Sequence, residues 1–263
     1  MSITFNEKAE GRSNVPLNEP GRPMLSDFIG QPDAITCLQT YCSAAKANNA
    51  VLDHVLLTGK HGLGKTLLAF SIANEMGRNM RITSGVALGS PGDLVSILTN
   101  LSEGDILFID DIHRLNPKFE EILYPALEEF AIDIVLGKGP SANSIRLDLP
   151  HFTLIGASYK SDCISDALKS RFGIRIELKD YSADELCRIV ERQASSWQLP
   201  IDHESAHLIG EAAGGSPREA LVVLKRVRDF AQVNQESGIR EELTRRVLDL
   251  LDRTCDKNTN SDS

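Results

Sequence analysis

One short segment constrains the fold of this chain more than any other: Gly59-Lys60-His61-Gly62-Leu63-Gly64-Lys65-Thr66. Its spacing is G-x-x-x-x-G-K-[ST], it follows the apolar run at 54–58, and a helical pattern begins at Lys65. Glycines at such a turn allow backbone N–H groups to surround a phosphate, and the positive end of the following helix adds to the attraction. The segment therefore predicts a phosphate-binding loop between a buried strand and a helix.

The chemistry of this loop depends on its last two residues. The Lys65 ammonium is expected to reach the β- and γ-phosphates of a bound nucleotide, and the Thr66 hydroxyl to hold Mg²⁺. A second segment, 106–111 (ILFIDD), is an apolar strand that ends in two carboxylates. An acidic turn after a strand is common, but beside a phosphate loop it predicts that Asp110 holds the magnesium-bound water and Asp111 lies near the attacking water. ATP and Mg²⁺ are therefore the expected cofactors.

The order of the predicted elements indicates the fold class. Up to about residue 178, short apolar runs typical of strands buried on both faces alternate with helical patterns. Such alternation predicts an α/β fold with a parallel sheet between helices. From Ser182 onward only helical patterns follow, so a small all-helical domain is expected. The predicted strands are 54–58, 81–84, 106–109, 152–157 and 174–178, and the predicted helices are 65–76, 93–101, 117–130, 183–198, 203–213, 218–235 and 241–252.

The chain is expected to divide into four parts. These are a flexible arm (1–20), a large ATPase domain (21–181), a helical lid (182–254) and a disordered tail (255–263). Both ends are polar and lack periodicity. Within the large domain, two alternating runs flank a turn rich in Gly, Pro, Ser and Asn, which predicts a β-hairpin at 132–149.

Composition argues against several classes of function. The formal net charge is -9, whereas proteins that attract nucleic acid through their overall field are basic, so autonomous DNA binding is not expected. No apolar run approaches the roughly 20 residues that a membrane helix needs, and the N-terminus has no apolar signal segment. The five cysteines have neither a zinc spacing nor a disulfide pattern. A cytoplasmic location is therefore expected.

Two arginines become candidate phosphate-binding residues because the two motifs predict a nucleotide site. Arg171 (in KSRFG) follows the 152–157 run after a helical stretch, and Arg218 (in GSPR) begins the third helix of the lid. Each alone is typical of a surface arginine. Beside a bound nucleotide, their guanidinium groups would hydrogen-bond phosphate oxygens and stabilise charge on the transferring group.

A series of short segments along the chain points to one family. They are RP at 22–23, FIGQ at 28–31, LDHVLLTG, ITSG, PGDL, ILTNL, EGDILFID, IHRLN, EEILYPALE, LGKGPSANSIRLDLP, FTLIGA, SRFG, GSPR and RVRDFAQV. Together they resemble the RuvB family of AAA+ P-loop NTPases, from about Arg22 to Leu251 and across both domains. FIGQ, the hairpin and RVRDFAQV distinguish this pattern from that of the clamp loaders.

The resemblance implies an ATP-driven homo-oligomeric ring, with the nucleotide between the large domain and the lid. Ser158 falls at the family's sensor position, Arg171 matches the arginine finger that reaches the neighbouring subunit's nucleotide, and Arg218 matches the second sensor. The other residues implied at the nucleotide are Arg22, Phe28, Ile29 and Tyr181 around the adenosine, Gly59, Gly62, Leu63 and Gly64 of the loop, Leu67, and Glu128, Glu129 and Phe130. Tyr181 is equally typical of a packing residue at the domain hinge.

The implied activity is ATP-dependent branch migration of Holliday junctions in DNA recombination and repair. In this family the hairpin engages RuvA, the junction-binding partner, so a RuvA-like protein is the expected partner at 132–149. Without the resemblance, a purely structural hairpin would be favoured. Because the chain is acidic, its contact with DNA is expected to be weak or supplied by partners.

Three features depart from the family's pattern. Asp111 stands in place of a glutamate, and its carboxylate is expected about 1 Å too far from the water, a misplacement that can cost roughly a hundredfold in rate. Lys60-His61 stand in place of two prolines; Lys60 either adds a cation near the phosphates or points to solvent. The winged-helix head that supplies most of the family's DNA contacts is expected to be missing after the lid.

These features leave three hypotheses open. The leading one is a RuvB-type motor subunit that hydrolyses ATP in a ring. The second is a regulatory or scaffold subunit that binds ATP but scarcely turns over; Asp111 and the missing head favour it, whereas Lys65, Thr66, Asp110 and Arg171 oppose it. The third is a clamp-loader-like ATPase, which leaves the hairpin and RVRDFAQV unexplained.

Overall fold

The computed structural model describes residues 14–15, 23–136 and 143–255. Its strands are β1 (Asn14–Val15), β2 (Val55–Thr58), β3 (Met80–Ser84), β4 (Ile106–Asp110), β5 (Ala131–Leu136), β6 (Asn143–Asp148), β7 (Thr153–Ser158) and β8 (Ile174–Glu177). Its helices are α1 (Pro32–Ala47), α2 (Lys65–Met76), α3 (Pro91–Thr99), α4 (Pro117–Glu128), α5 (Asp166–Lys169), α6 (Ala183–Ser196), α7 (His203–Ala212), α8 (Pro217–Val233) and α9 (Glu241–Cys255).

The main sheet has the order β1-β3-β4-β7-β2-β8. Its five strands from β3 to β8 run parallel, and the two-residue β1 is added antiparallel to β3. All residues of β2 and β7 are buried, as expected for strands covered on both faces. The predicted parallel sheet between helices is confirmed. Its register pairs Thr58 with Ser158 and Ser84 with Asp110, so these four residues lie at the carboxyl edge of the sheet.

Helix α1 was not predicted from the sequence. It has 16 residues, but only Ala34, Leu38 and Cys42 are buried. These three lie four residues apart, which places them on one narrow stripe of the helix. The remaining positions are mostly exposed, so the apolar periodicity of the segment is too weak to predict a helix.

The second domain is all-helical, as predicted, and consists of α6 to α9. It begins with a capping box in which the Ser182 hydroxyl accepts from the Glu185 N–H (3.3 Å) and the Glu185 carboxylate accepts from the Ser182 N–H (2.9 Å). Its core comes from apolar residues at helical spacing, and in α8 these are Ala220, Leu224, Val227 and Ala231.

The predicted hairpin lies between α4 and β7. Strands β5 and β6 pair antiparallel, with Ala131 opposite Asp148 and Leu136 opposite Asn143. The predicted turn falls within residues 137–142, which lie outside the described residues.

The predicted arm and tail are described only in part. Of the arm (1–20) the structure describes Asn14–Val15, which form β1, and of the tail (255–263) it describes Cys255, the last residue of α9. The rest of both segments lies outside the described residues. Within the described part of the chain, no helix is long and apolar enough to cross a membrane.

Candidate nucleotide-binding site

The predicted phosphate loop connects β2 to α2. Gly64 precedes the first residue of α2 with φ 95°, a conformation that favours glycine. Gly62 also has a positive φ (82°), and a Cβ atom there would lie 2.6 Å from the Ser216 Oγ and 2.8 Å from the Arg218 Cβ. The lid therefore approaches this loop so closely that position 62 has no space for a side chain.

Lys65 is buried at the centre of the loop. Its Nζ donates to the carbonyl oxygens of Gly59 (2.7 Å) and Lys60 (2.9 Å). Burial lowers the pKa of Lys65, and the charges of Asp110 and Asp111 act in the opposite direction. Among the described residues, this ammonium has carbonyl partners but no ion pair with a carboxylate. Such a cation fits an anionic ligand, because a buried charge without a counter-charge is costly.

The two acidic residues of the second motif lie at the end of β4. The Asp111 N–H donates to the Asp110 Oδ1 (2.9 Å). Asp111 has φ 47° and ψ 45°, so the chain turns sharply there. The Asp111 Oδ2 lies 3.9 Å from the Arg114 Nε. The charges of both carboxylates act on Lys65, and Asp111 also faces Arg114, which was not among the predicted site residues.

Ser158, the predicted sensor residue, ends β7 and is fully buried. Its hydroxyl donates to the Lys160 carbonyl oxygen (2.9 Å) and lies 3.2 Å from the His113 Nδ1. His113 is two residues after Asp111, so Ser158 connects β7 to the loop after β4. His113 was not predicted as a site residue, because nothing in its spacing from Ser158 in the sequence indicates their contact.

The predicted adenosine side is formed by the N-terminal segment and the domain hinge. A Cβ atom on Gly64 would lie 3.4 Å from the Phe28 ring and 3.8 Å from the Tyr181 hydroxyl. Tyr181 donates to the Leu63 carbonyl oxygen (3.1 Å), and burial raises its pKa, so it remains a donor at physiological pH. Tyr181 is thus a packing residue at the hinge that also contacts the loop.

The remaining predicted residues on this side have varied positions. Ile29 is half-buried against the core, and Leu67 lies in the first turn of α2. Arg22 lies outside the described residues. Gln31 was not predicted: its side chain donates to the Lys179 carbonyl oxygen (2.6 Å) and accepts from the Lys179 N–H (3.0 Å). This pair of bonds connects the N-terminal segment to the strand end before the lid.

The lid contacts the loop through the backbone. The Arg218 N–H donates to the Gly62 carbonyl oxygen (3.3 Å), and the Tyr181 N–H donates to that of Gly215 (2.9 Å). The backbone of Arg218 therefore contacts the phosphate loop, and its role as a second sensor stays a prediction.

Lys60 and His61 are both engaged by neighbouring side chains. The Lys60 Nζ lies 2.5 Å from the Asp180 carboxylate, and the His61 ring stacks on Tyr159 with centroids 5.2 Å apart. Lys60 therefore neither points freely to solvent nor carries an uncompensated charge. Two side-chain contacts hold the loop where the family's pattern has two prolines.

Substitution of either member of the Lys60–Asp180 ion pair is expected to change the affinity for ATP, and the two changes should have opposite signs. Lys60→Met leaves the Asp180 carboxylate unpaired beside the loop, so we expect ATP to bind about threefold more weakly at low salt. Asp180→Asn leaves the cation unpaired, so we expect binding to be about threefold tighter, and the double variant to resemble the wild type. Titration of a fluorescent ATP analogue measures these affinities, with Lys46→Met, from an ion pair on α1 and α2, as the control. Shifts of equal sign in both single variants would contradict the assignment.

The other predicted residues lie at the opposite edge of the sheet. Arg171 is three residues before β8, whose first residue pairs with Val55 at the start of β2, whereas the phosphate loop follows the end of β2. The Arg171 guanidinium forms an ion pair with Glu128 (3.1 Å) and lies 4.1 Å from the Tyr124 ring centroid. The structure therefore does not bring Arg171 and Glu128 to the phosphate loop of their own chain.

Glu129 and Phe130 lie at this same amino edge. Glu129 forms an ion pair with Arg146 of the hairpin, and the Phe130 ring stacks on His151 with centroids 4.2 Å apart. Arg171 and Phe130 line an open cleft of about 510 Å³. His54, also in its lining, accepts from the Leu154 N–H (3.0 Å) through Nδ1, and burial lowers its pKa, which favours a neutral imidazole. The amino edge is therefore a second, separate group of predicted residues.

A five-stranded parallel sheet, a phosphate loop under a helical lid and two acidic residues at the same edge define a P-loop ATPase of the AAA+ class. Residues 21–178 match the model of the Holliday junction DNA helicase RuvB P-loop domain, and residues 181–253 match that of the RuvB AAA lid domain. The chain belongs to the RuvB family.

Solved structures agree with this assignment. The Thermotoga maritima RuvB Holliday junction branch migration motor is 42% identical, with a TM-score of 0.79 and coverage of 88% of this chain and 72% of that one. A point mutant of the T. maritima RuvB, also 42% identical, gives a TM-score of 0.81 and coverage of 88% and 74%. The family resemblance of the sequence is confirmed, and a P-loop of this family is a nucleotide-binding element.

Proposed function

We propose that this chain binds ATP with Mg²⁺ and hydrolyses it as a subunit of a homo-oligomeric ring that drives branch migration of Holliday junctions. The observation that carries the proposal is the convergence of Lys65, Asp110, Asp111 and Ser158 at one sheet edge, beneath the lid residue Arg218. A cytoplasmic location is part of the proposal.

The residues at this edge fit a magnesium–nucleotide complex. Lys65 is a buried cation held by two carbonyl oxygens, which suits the β- and γ-phosphates. The Asp110 carboxylate uses its Oδ1 for the Asp111 N–H and has its Oδ2 available, and with the Thr66 hydroxyl it offers the hard oxygen ligands that Mg²⁺ prefers. The bound ion would neutralise charge that develops on the phosphates.

We assign the remaining residues the roles that the family resemblance implies. Asp111, beyond the Asp110 carboxylate, orients the attacking water and accepts its proton. Ser158 senses the state of the phosphate through its contacts with the loop after β4. Arg218 stabilises the phosphates from the lid, while Phe28, Ile29, Tyr181 and Arg22 enclose the adenosine.

The position of Arg171 supports assembly into a ring. It lies at the amino edge of the sheet, so it cannot serve the phosphate loop of its own chain. A head-to-tail contact would bring the amino edge of one subunit to the carboxyl edge of the next, and repeated contacts of this kind close into a ring. Glu128, Glu129 and Phe130 would then approach the same neighbouring nucleotide.

The hairpin supports the proposed RuvA-like partner. Ile145 and Leu147 on β6 are 50% and 39% exposed, and exposed apolar side chains on a hairpin suit a protein–protein contact. DNA contact by this part of the chain would be indirect or weak, because the net charge is -9.

Steady-state ATP hydrolysis, with and without a RuvA protein and a four-way junction, tests the proposal. We expect turnover well above that of Lys65→Ala, which removes the cation at the phosphates, and a further rise when both RuvA and the junction are added. Turnover at the level of Lys65→Ala under all conditions would contradict a motor.

A second function, an ATP-binding regulatory subunit of such a complex, is favoured by one observation. Asp111 is a short carboxylate that already faces Arg114, so less of its charge is available to a water molecule. Nucleotide binding without turnover would select this function over the motor.

A further inference from the structure

Three side chains of the types that coordinate transition metals in proteins meet on the lid, outside the nucleotide site. Cys187 and Glu191 lie four residues apart on α6, so they share one face of that helix. His203 is the first residue of α7, which packs against α6. Cys187 is a free, buried thiol, whereas Glu191 and His203 reach the surface.

The three donor atoms are close to the spacing that a tetrahedral ion requires. The Cys187 Sγ lies 3.7 Å from the His203 Nδ1, which in turn lies 2.8 Å from a Glu191 carboxylate oxygen, and all three atoms are within 4.8 Å of one another. Zinc bonds of about 2.0–2.3 Å in a tetrahedral site place donors about 3.3–3.6 Å apart. The distance between the His203 and Glu191 donor atoms has to open by about 0.5 Å.

The charges around this cluster favour a cation. Burial, then the carboxylates of Glu191 and Asp184, raise the pKa of the Cys187 thiol to about 11. The hydrogen bond and charge of Glu191, with the charges of Glu204 and Asp184, raise the pKa of His203. Three carboxylates thus act on these two residues, and a negative potential of this kind attracts a divalent ion.

We propose that Cys187, Glu191 and His203 form a zinc-type metal site that fastens α6 to the start of α7. The Cys187 S–H bond breaks as the sulfur–metal bond forms, the proton passes to solvent, and no residue is oxidised or reduced. His203 coordinates through Nδ1 and Glu191 through a carboxylate oxygen, while water takes the fourth position. A thiolate and an imidazole select zinc over Mg²⁺, so this site is distinct from the one at the phosphate loop.

The sequence alone did not reveal this site. It has a single cysteine, and its histidine lies 16 residues further on, which matches no familiar zinc spacing. Only the packing of α6 against α7 brings the three donors together. The simpler arrangement is a His203–Glu191 hydrogen bond without a metal ion. The experiment has to distinguish this arrangement from a metal site.

Titration of the nucleotide-free chain with Co²⁺ above neutral pH tests the proposal. We expect a near-ultraviolet thiolate-to-cobalt charge-transfer band and visible bands of tetrahedral intensity, both removed when Zn²⁺ is added. Cys187→Ser and His203→Gln should abolish the charge-transfer band, whereas Cys42→Ser, at another buried thiol, should retain it.

Protein stability provides a second measurement. Zn²⁺ should raise the Tm of the wild type and of Cys42→Ser but not of His203→Gln, whose exposed position leaves folding intact. The proposal is overturned if the wild type gives no charge-transfer band, or if Cys187→Ser gives the same band as the wild type.

Discussion

Arg171→Ala is expected to lower kcat for ATP hydrolysis by about a thousandfold, since an arginine that stabilises the transferring phosphoryl group contributes on this scale. Its affinity for ATP should change little, because Arg171 lies at the amino edge of the sheet and does not contact the phosphate loop of its own chain. Single-turnover kinetics measures the rate of hydrolysis, and nucleotide titration measures the affinity for ATP separately.

Mixing two inactive variants tests whether Arg171 acts on a neighbour. In rings that contain both Arg171→Ala and Lys65→Ala subunits, some interfaces combine an intact phosphate loop with an intact Arg171, so activity should return. Lys169→Ala is a matched control, because it removes a nearby cation that is paired with the fully exposed Asp166. If mixing restores nothing while rings still form, Arg171 does not act on a neighbouring nucleotide, and its contacts with Glu128 and Tyr124 are structural.

The carboxyl edge of the site could be predicted from sequence because its signals are local. The phosphate loop, the acidic pair after β4 and the strand that ends at Ser158 each have a recognisable pattern over a few residues. Parallel strands then bring their carboxyl ends to one edge, so Lys65, Asp110 and Ser158 had to be neighbours. The helical lid was equally predictable from its apolar periodicity.

The contacts that hold this edge in place could not be predicted. Lys60 and Asp180 are 120 residues apart, Gln31 and Lys179 are 148 apart, and Ser158 and His113 are 45 apart. Their side chains are polar, and no periodicity indicates which distant residue each will meet. Such pairs follow from the packing of whole elements, so they appear only when the fold is known.

The positions of Glu128 and Phe130 show a different limit of prediction from the sequence. The family resemblance associates them with the nucleotide but does not indicate to which subunit that nucleotide belongs. In the structure they accompany Arg171 at the amino edge, so their contact with a nucleotide requires a second chain. Their role at a nucleotide stays a prediction, and the topology of the sheet restricts that role to the nucleotide of a neighbouring subunit.

Asp111→Asn is expected to reduce kcat by about a hundredfold, because a positioned base contributes on this scale. The KM for ATP should change little, since Asp111 lies beyond Asp110, the proposed magnesium ligand, and contacts Arg114 rather than the loop. Steady-state kinetics over a range of ATP concentrations separates kcat from KM. Glu103→Gln, a carboxylate that accepts from the His151 N–H at the amino edge, is the control and should leave kcat unchanged.

Asp111→Glu tests the same carboxylate in the opposite direction. The added methylene moves the carboxylate about 1 Å toward the water, and we expect kcat to rise by as much as about a hundredfold. The backbone of Asp111 has φ 47°, and a Cβ atom on Gly85 would lie 2.5 Å from the Asp111 carbonyl oxygen, so the turn itself is held and the longer side chain must extend from a fixed point. A lower kcat in Asp111→Asn together with a higher kcat in Asp111→Glu would indicate a motor in which the side chain of the catalytic base is too short. If neither substitution changes kcat, Asp111 takes no part in turnover, and the chain fits the regulatory subunit better than the motor.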